Sequence, residues 1–255
     1  MKRIDHLVVA VRDLDAAGDV CRRLGFQVGA RNRHPWGTEN RLVQFASSFI
    51  ELITVGEGAE ITPHGPGVFS FGAFVRDYLA RREGLAMLVL DSNDARADAA
   101  RFATAGIGRF EPFHFERKGR RPDGQETQVA FTLAFANPSP EAAFFVCQQH
   151  FPENFWNPAF QRHENGATNI TAVTLAARRD FLASFTGDAD CRLTAGGRLE
   201  LIAEADQSVF TGFTVGVPDI AARAALLQAA GIPFADRGAR LALPAFGTTL
   251  TFEEI

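Results

Sequence analysis

The chain has 255 residues, 46% of them hydrophobic, with a formal net charge of −4 and a pI near 5.9. That length buries one large core or two moderate ones, and the acidic balance leaves no electrostatic footprint for nucleic acid. The apolar run "LVVAV" at 7–11 is followed at once by Arg12 and Asp13, too short for a membrane span of about 20 residues or for a secretory leader.

From the N-terminus, "HLVVAVRD" reads as a strand ending at Asp13, followed by an Ala-containing amphipathic stretch that closes at Gly25. An Asp there N-caps a helix of about three turns, and the Gly supplies the left-handed residue that ends it. "FQVGARNRH", "NRLVQFA" and "SFIELITV" then read as strands separated by turns, which makes a βαβββ module. The pattern returns with "MLVLDSND", Asp94 and Gly106, followed by "RFEPFHFER", "TQVAFTLAFA" and "AAFFVCQQHF". It returns again with "FTVGVPD", Asp219 and Gly231, followed by "RLALPAF" and "TTLTFEEI". A weaker, shortened copy begins at "NITAVTLAARRDF". The basic stretch "ERKGRRPDG" at 116–124 is interrupted by Gly and Pro and reads as a solvated turn.

The expected organisation is two full modules over 1–150, a Pro-interrupted connector over 151–168, and two shortened modules over 169–255. Cys21, Cys147 and Cys191 are odd in number and widely spaced, which predicts a reducing, cytoplasmic setting. With 24 Phe against one Tyr and two Trp, the interior and any pocket in it should be lined by phenylalanine.

Within "SFIELITV", Phe49, Glu51 and Ile53 share one strand face. A carboxylate between large apolar neighbours must be paired, protonated or metal-bound. If the first and fourth strands of the module pair, His6 and Glu51 become cross-strand neighbours, and imidazole with carboxylate suits Zn, Fe, Mn or Ni. The 81-residue offset from Asp13 to Asp94 places Met87 where His6 sits. "FFVCQQH" offers Cys147 or Gln148 opposite "FIELI", with His150 two positions beyond Gln148. Met87 is a poor ligand for a hard ion. Two readings of His6 therefore stand side by side: a metal or pocket ligand, or a histidine satisfied by a local hydrogen bond. Asn169 and Glu200 form a second partial pair in the C-terminal half. "HPWGTENR" at 34–41 is a turn whose His34, Trp36 and Asn40 suit a pocket lip. His114 and Arg117 read as strand-edge residues, and His163 and Asn165 as ties for the connector. No nucleophile elbow, P-loop or dinucleotide fingerprint is present.

"IDHLVVAVRDLDAA", "HPWGTENRLVQF", "FIELI", "GLAMLVLDSNDA" and "FFVCQQHFPENFWNPAFQRHENGA" resemble the glyoxalase-like domain proteins of the vicinal oxygen chelate superfamily, which includes glyoxalase I, extradiol dioxygenases and bleomycin-resistance proteins. The resemblance implies an α+β fold of tandem βαβββ modules curled into cupped mixed sheets. It also implies a divalent metal held in the cup by first- and last-strand side chains, here His6 and Glu51. The function it implies is a metal-assisted isomerase or lyase acting on a small organic substrate, with Glu51 as proton acceptor, ahead of dioxygenase chemistry. His34, Trp36, Asn40, Gln148 and His150 would line the substrate. The rival reading is a metal-free protein that sequesters a small molecule. In either case no nucleic-acid or membrane partner is expected; a homodimer is compatible, and the C-terminal half could serve as a lid or dimerisation platform.

Overall fold

In the computed structural model, which describes residues 1–120 and 126–255, the Asp-to-Gly spacing closes three helices as the repeat predicts. Of the turn expected at 116–124, residues 116–120 are instead the end of a strand paired with its neighbour, and 121–124 lie outside the described residues. Helices α1 (Leu14–Arg23), α3 (Ala95–Thr104) and α6 (Ile220–Ala229) start at Asp13, Asp94 and Asp219, whose carboxylates accept from first-turn amides. Each ends before a glycine in the left-handed region: Gly25 at φ 76°, Gly106 at 71° and Gly231 at 64°. A Cβ at Gly25 would also press within 3.0 Å of Asn165.

The first module comprises β1 (Ile4–Ala10), α1, β2 (Asn32–Arg33), β3 (Thr38–Gln44) and β4 (Phe49–Val55). The second comprises β5 (Gly84–Asp91), α3, β6 (Phe113–Arg120), β7 (Glu126–Phe135) and β8 (Ala143–Gln149). They join through antiparallel β1 and β5 into one eight-stranded sheet ordered β2-β3-β4-β1-β5-β8-β7-β6. Helix α2 (Phe71–Arg81), capped by Ser70, lies between the modules and outside the repeat. A short helix α4 (Pro152–Phe155) begins the connector.

The C-terminal half contains β9 (Asn169–Ala176), α5 (Arg179–Thr186), β10 (Arg198–Ala203), β11 (Val209–Val217), α6, β12 (Ala235–Asp236), β13 (Arg240–Ala245) and β14 (Thr248–Glu254). It forms a six-stranded sheet ordered β10-β9-β11-β14-β13-β12. The third module has lost its two middle strands: β9 pairs directly with β10, in parallel, as β1 does with β4. Its helix α5 has no side-chain N-cap, although Gly187 ends it at φ 74°.

The two sheets stand back to back. Leu7, Val9, Phe144, Phe213, Phe252 and the buried faces of α1, α3, α5 and α6 belong to one core that spans both halves. Phe26 stacks on Phe252 at 5.8 Å, and Phe144 meets Phe210 at 5.1 Å and Phe185 at 5.4 Å. The other face of each sheet is concave and turns away from this core. In the first sheet, opposite margins meet where Trp36, in the β2–β3 turn, touches Phe113 and Phe115 of β6 at 5.4 and 5.1 Å. In the second, Arg240 of β13 reaches Glu200 of β10 at 3.1 Å.

Helix α2 fills much of the first cup. Phe71, Phe74, Val75, Tyr78 and Leu79 are buried with Phe69 against Val8, Met87, Phe135 and Phe145. The apolar residues fall on one side of three turns, so the helix can present a continuous face to the sheet. Burial of each such large side chain contributes on the order of 1.5–3 kcal/mol.

Candidate functional site

The first cup holds two polar groups inside aromatic walls. One is built on β1. The β1–β5 register shifts between Ile4 and His6; such a bulge places two successive side chains on the same face. Asp5, 1% exposed, and His6, 6% exposed, are thereby brought together, and His6 Nδ1 donates to Asp5 Oδ2 at 2.8 Å. The His6 ring lies flat on Phe49 at 4.2 Å and meets the Phe145 edge at 5.7 Å. Gln149 Nε2 donates to the other Asp5 oxygen at 3.0 Å.

The second group forms where β3 and β4 run antiparallel. Asn40 Nδ2 donates to Glu51 Oε1 at 2.6 Å and to His34 Nε2 at 3.2 Å, while Asn40 Oδ1 accepts from Asn32 at 3.3 Å. With Nε2 accepting, His34 Nδ1 carries the proton and donates to Thr38 Oγ1 at 2.8 Å. His34 Nε2 is 3.9 Å from Glu51 Oε1. Burial pushes the His34 imidazole down, outweighing the pull of Glu51, and nearby Arg117 adds to the lowering. The ring is therefore neutral at pH 7. Trp36 stacks on it at 4.5 Å, and Trp36 Nε1 is buried with no hydrogen-bond partner among the described residues. Glu51 Oε2 likewise makes no hydrogen bond to another described residue. About 14% of the Glu51 side chain and 17% of that of His34 stay open to solvent.

The expected pairing is thus rearranged. His6 faces Phe49 across the β1–β4 ladder, and Glu51 faces Val8. Both side chains point into the cup, but His6 takes Asp5 as its partner and Glu51 takes Asn40 with His34 beside it. Asp5 escaped the sequence reading, although two adjacent polar residues within an apolar run are the mark a bulge leaves.

The second module also departs from expectation. Met87 pairs with Ala143 and Val89 with Phe145, repeating His6 with Phe49 and Val8 with Glu51. The counterpart of Glu51 is therefore Phe145, and neither Cys147 nor Gln148 occupies that place. Cys147 faces the cup, where burial pushes its thiol well up. Gln148 turns to the opposite face, accepting from Ala95 N at 3.1 Å and donating to Asn93 O at 2.9 Å, so it caps α3. His150 is also outside the cup. It shares the Thr132 hydroxyl (2.7 Å) with His114 (3.0 Å), and β-alternation puts Thr132 on the face opposite Leu133 and Phe131. Asn169 and Glu200 are separate as well: Asn169 Oδ1 accepts from Ser47 and Ser48, whereas Glu200 lies opposite Thr174. His163 and Asn165 do tie the connector down, through the Gln27 amide and the Leu24 carbonyl.

These donors do not fit a chelated divalent ion. The four positions that face one another across the modules hold His6, Glu51, Met87 and Phe145, so only the first two carry atoms suited to a hard ion, His6 Nε2 and Glu51 Oε2, their other polar atoms being bonded to Asp5 and Asn40. No group of three or more His, Cys, Asp or Glu side chains able to hold a metal occurs among the described residues.

Paired βαβββ modules curled into a cup define a protein of the vicinal oxygen chelate fold. The chain matches the glyoxalase-like domain family over residues 4–189 and belongs to it. Among solved structures it resembles a hypothetical protein from Staphylococcus aureus at TM-score 0.66 and 13% identity, over 100% of both chains. It also resembles a mutant 4-hydroxymandelate synthase from Streptomyces coelicolor at TM-score 0.60 and 15% identity, covering 99% of this chain and 92% of that one. A fusion of a xylose isomerase-like TIM barrel with 4-hydroxyphenylpyruvate dioxygenase matches at TM-score 0.57 and 14% identity, over 99% of this chain but 49% of the fusion. At such identities the likeness is one of fold. No curated protein matches the chain. No helix among the described residues is long and apolar enough to cross a membrane.

Proposed function

We propose that the chain binds a small organic molecule at the mouth of the first cup, anchored by Glu51 without a chelated metal. The observation that carries this reading is the Glu51 carboxylate, fixed through Oε1 by Asn40 with the Trp36-stacked His34 ring beside it, while Oε2 bonds no other described residue. A buried polar group is normally paired, so the unpartnered Trp36 Nε1 asks for an acceptor, and Glu51 Oε2, on a side chain 14% open to solvent, is free to accept from a hydroxyl or N–H donor beside it. Trp36, Phe113 and Phe115 would cover its apolar body, as in many small-molecule sites. The three cysteines, all free, suit a reducing cytoplasm.

A second reading makes the same carboxylate a proton acceptor in an isomerase or lyase reaction. It is favoured by the neutral His34 ring beside Glu51, which places no cation against the carboxylate that would have to take the proton. Thermal-shift screening of aromatic alcohols, phenols and hydroxy ketones, with and without Mn, Zn, Fe or Ni, tests the binding reading. Stabilisation by organic ligands alone, weakened at least tenfold in Glu51→Gln, is expected. Binding that needs a metal, or that is unchanged in Glu51→Gln, would overturn it.

A further inference from the structure

The second cup contains a cavity of about 280 Å³ on the side of the six-stranded sheet away from the shared core. It lies between Thr174 and Glu200 on one side and Arg237, Arg240, Thr249 and Thr251 on the other. Gly212 lies in its floor, where a Cβ would crowd the paired strand at 2.9 Å from the Thr249 carbonyl oxygen.

The charges around it do not cancel. Arg198 clamps Glu253 with both terminal nitrogens and bonds Glu200 through Nε at 3.0 Å. Arg240 contacts Glu200 at 3.1 Å and Glu253 at 3.2 Å. Two carboxylates are thus shared by two guanidinium groups, and Arg237 is left over. Its side chain makes no hydrogen bond or ion pair with another described residue, and neither do the hydroxyls of Thr249 and Thr251. The cavity therefore offers one uncompensated positive charge, two free hydroxyls and an apolar surface of threonine methyls and Ala242.

We propose that this second cup binds a small organic monocarboxylate, its carboxylate on Arg237 and its body against the β11–β14 floor. A guanidinium fork matches a carboxylate in shape as well as charge. A single excess charge beside Glu200 favours a monoanion over a dianion, which would meet repulsion from that glutamate. The volume suits a ligand the size of benzoate. This site stands on the opposite side of the molecule from Glu51 and does not depend on the function proposed for the first cup.

The test is an NMR titration of the full chain with benzoate and, separately, with the isosteric neutral benzamide. Saturable shifts at the Arg237 Nε–H and the Thr251 amide are expected with benzoate, at least tenfold weaker with benzamide. They should vanish in Arg237→Ala, an exposed position whose replacement leaves the core intact, and persist in Glu51→Gln. Equal response to benzamide, or an unchanged titration in Arg237→Ala, would overturn the proposal. So would non-saturating shifts shared with a surface arginine such as Arg192.

Discussion

The two cups of this molecule share a strand topology and have opposite contents. The first is closed by helix α2 and a set of phenylalanines, and its few polar groups sit near the rim or beside Asp5. The second lacks an inserted helix and two strands of its third module, and its concave face carries a lattice of arginine, glutamate and threonine around open space. A cupped sheet supplies a concave surface whatever its side chains are. Whether that surface becomes core or site depends on what fills it, here a segment of fewer than thirty residues between β4 and β5.

The sharpest way to break the contrast is to separate the halves. The outer faces of both sheets share one core, so residues 1–165 expressed alone would expose Phe26, Phe144 and their neighbours. An aggregated or molten product is expected by gel filtration and near-UV circular dichroism; a soluble monomer with native-like signals would show that the halves fold independently. Next in size is the plug. Phe71 contacts Trp36, Phe113, Phe135 and Phe145, and Phe71→Ala should cost about 3 kcal/mol by the usual large-to-small penalty, read by urea unfolding.

In the second cup the corresponding change is smaller and depends on pH. Although burial alone pushes Glu200 and Glu253 up, hydrogen bonds from Arg198, Thr174 and Thr171 hold both below their ordinary 4.5. Groups lowered in this way contribute stability that is present above 4.5 and lost as the pH falls through their folded values. Arg198→Ala should cost about 1 kcal/mol at neutral pH, below the usual figure for hydrogen bonds to charged groups because solvent screens a guanidinium that is 37% exposed. Unfolding measured from pH 7 downward should show the gap from wild type closing in acid. No larger is the effect of Asp94→Ala, which removes the acceptor for the Ala97 amide and should cost about 1 kcal/mol, a shift of a few degrees in Tm at most.

Much of the scaffold was legible because it is written in local chemistry. Asp13, Asp94 and Asp219 cap helices, glycines end them, and the spacing between them repeats. Helix α2 obeys no repeat, so nothing in the module pattern announced that the cup would be filled. Register was the other gap. Strand alternation told which residues share a face but not which residue of β8 stands where Glu51 stands in β4; the pairing of Met87 with Ala143 decides for Phe145. The "HPWGTEN" turn stood out for the residue types it carries, and its His34, Trp36 and Asn40 gather beside Glu51. Gln148 and His150 went astray because side-chain direction flips with each residue of a strand whose register is unknown.

The proposal on which the rest turns is that the first cup anchors its ligand by hydrogen bonds to Glu51 rather than through a chelated metal. Equilibrium dialysis of purified wild type, His6→Ala and Glu51→Gln against Mn, Zn, Fe or Ni, followed by metal analysis, tests it directly. All three proteins should retain the same substoichiometric amount of each ion. One equivalent of an ion held by the wild type and lost from both variants would contradict it.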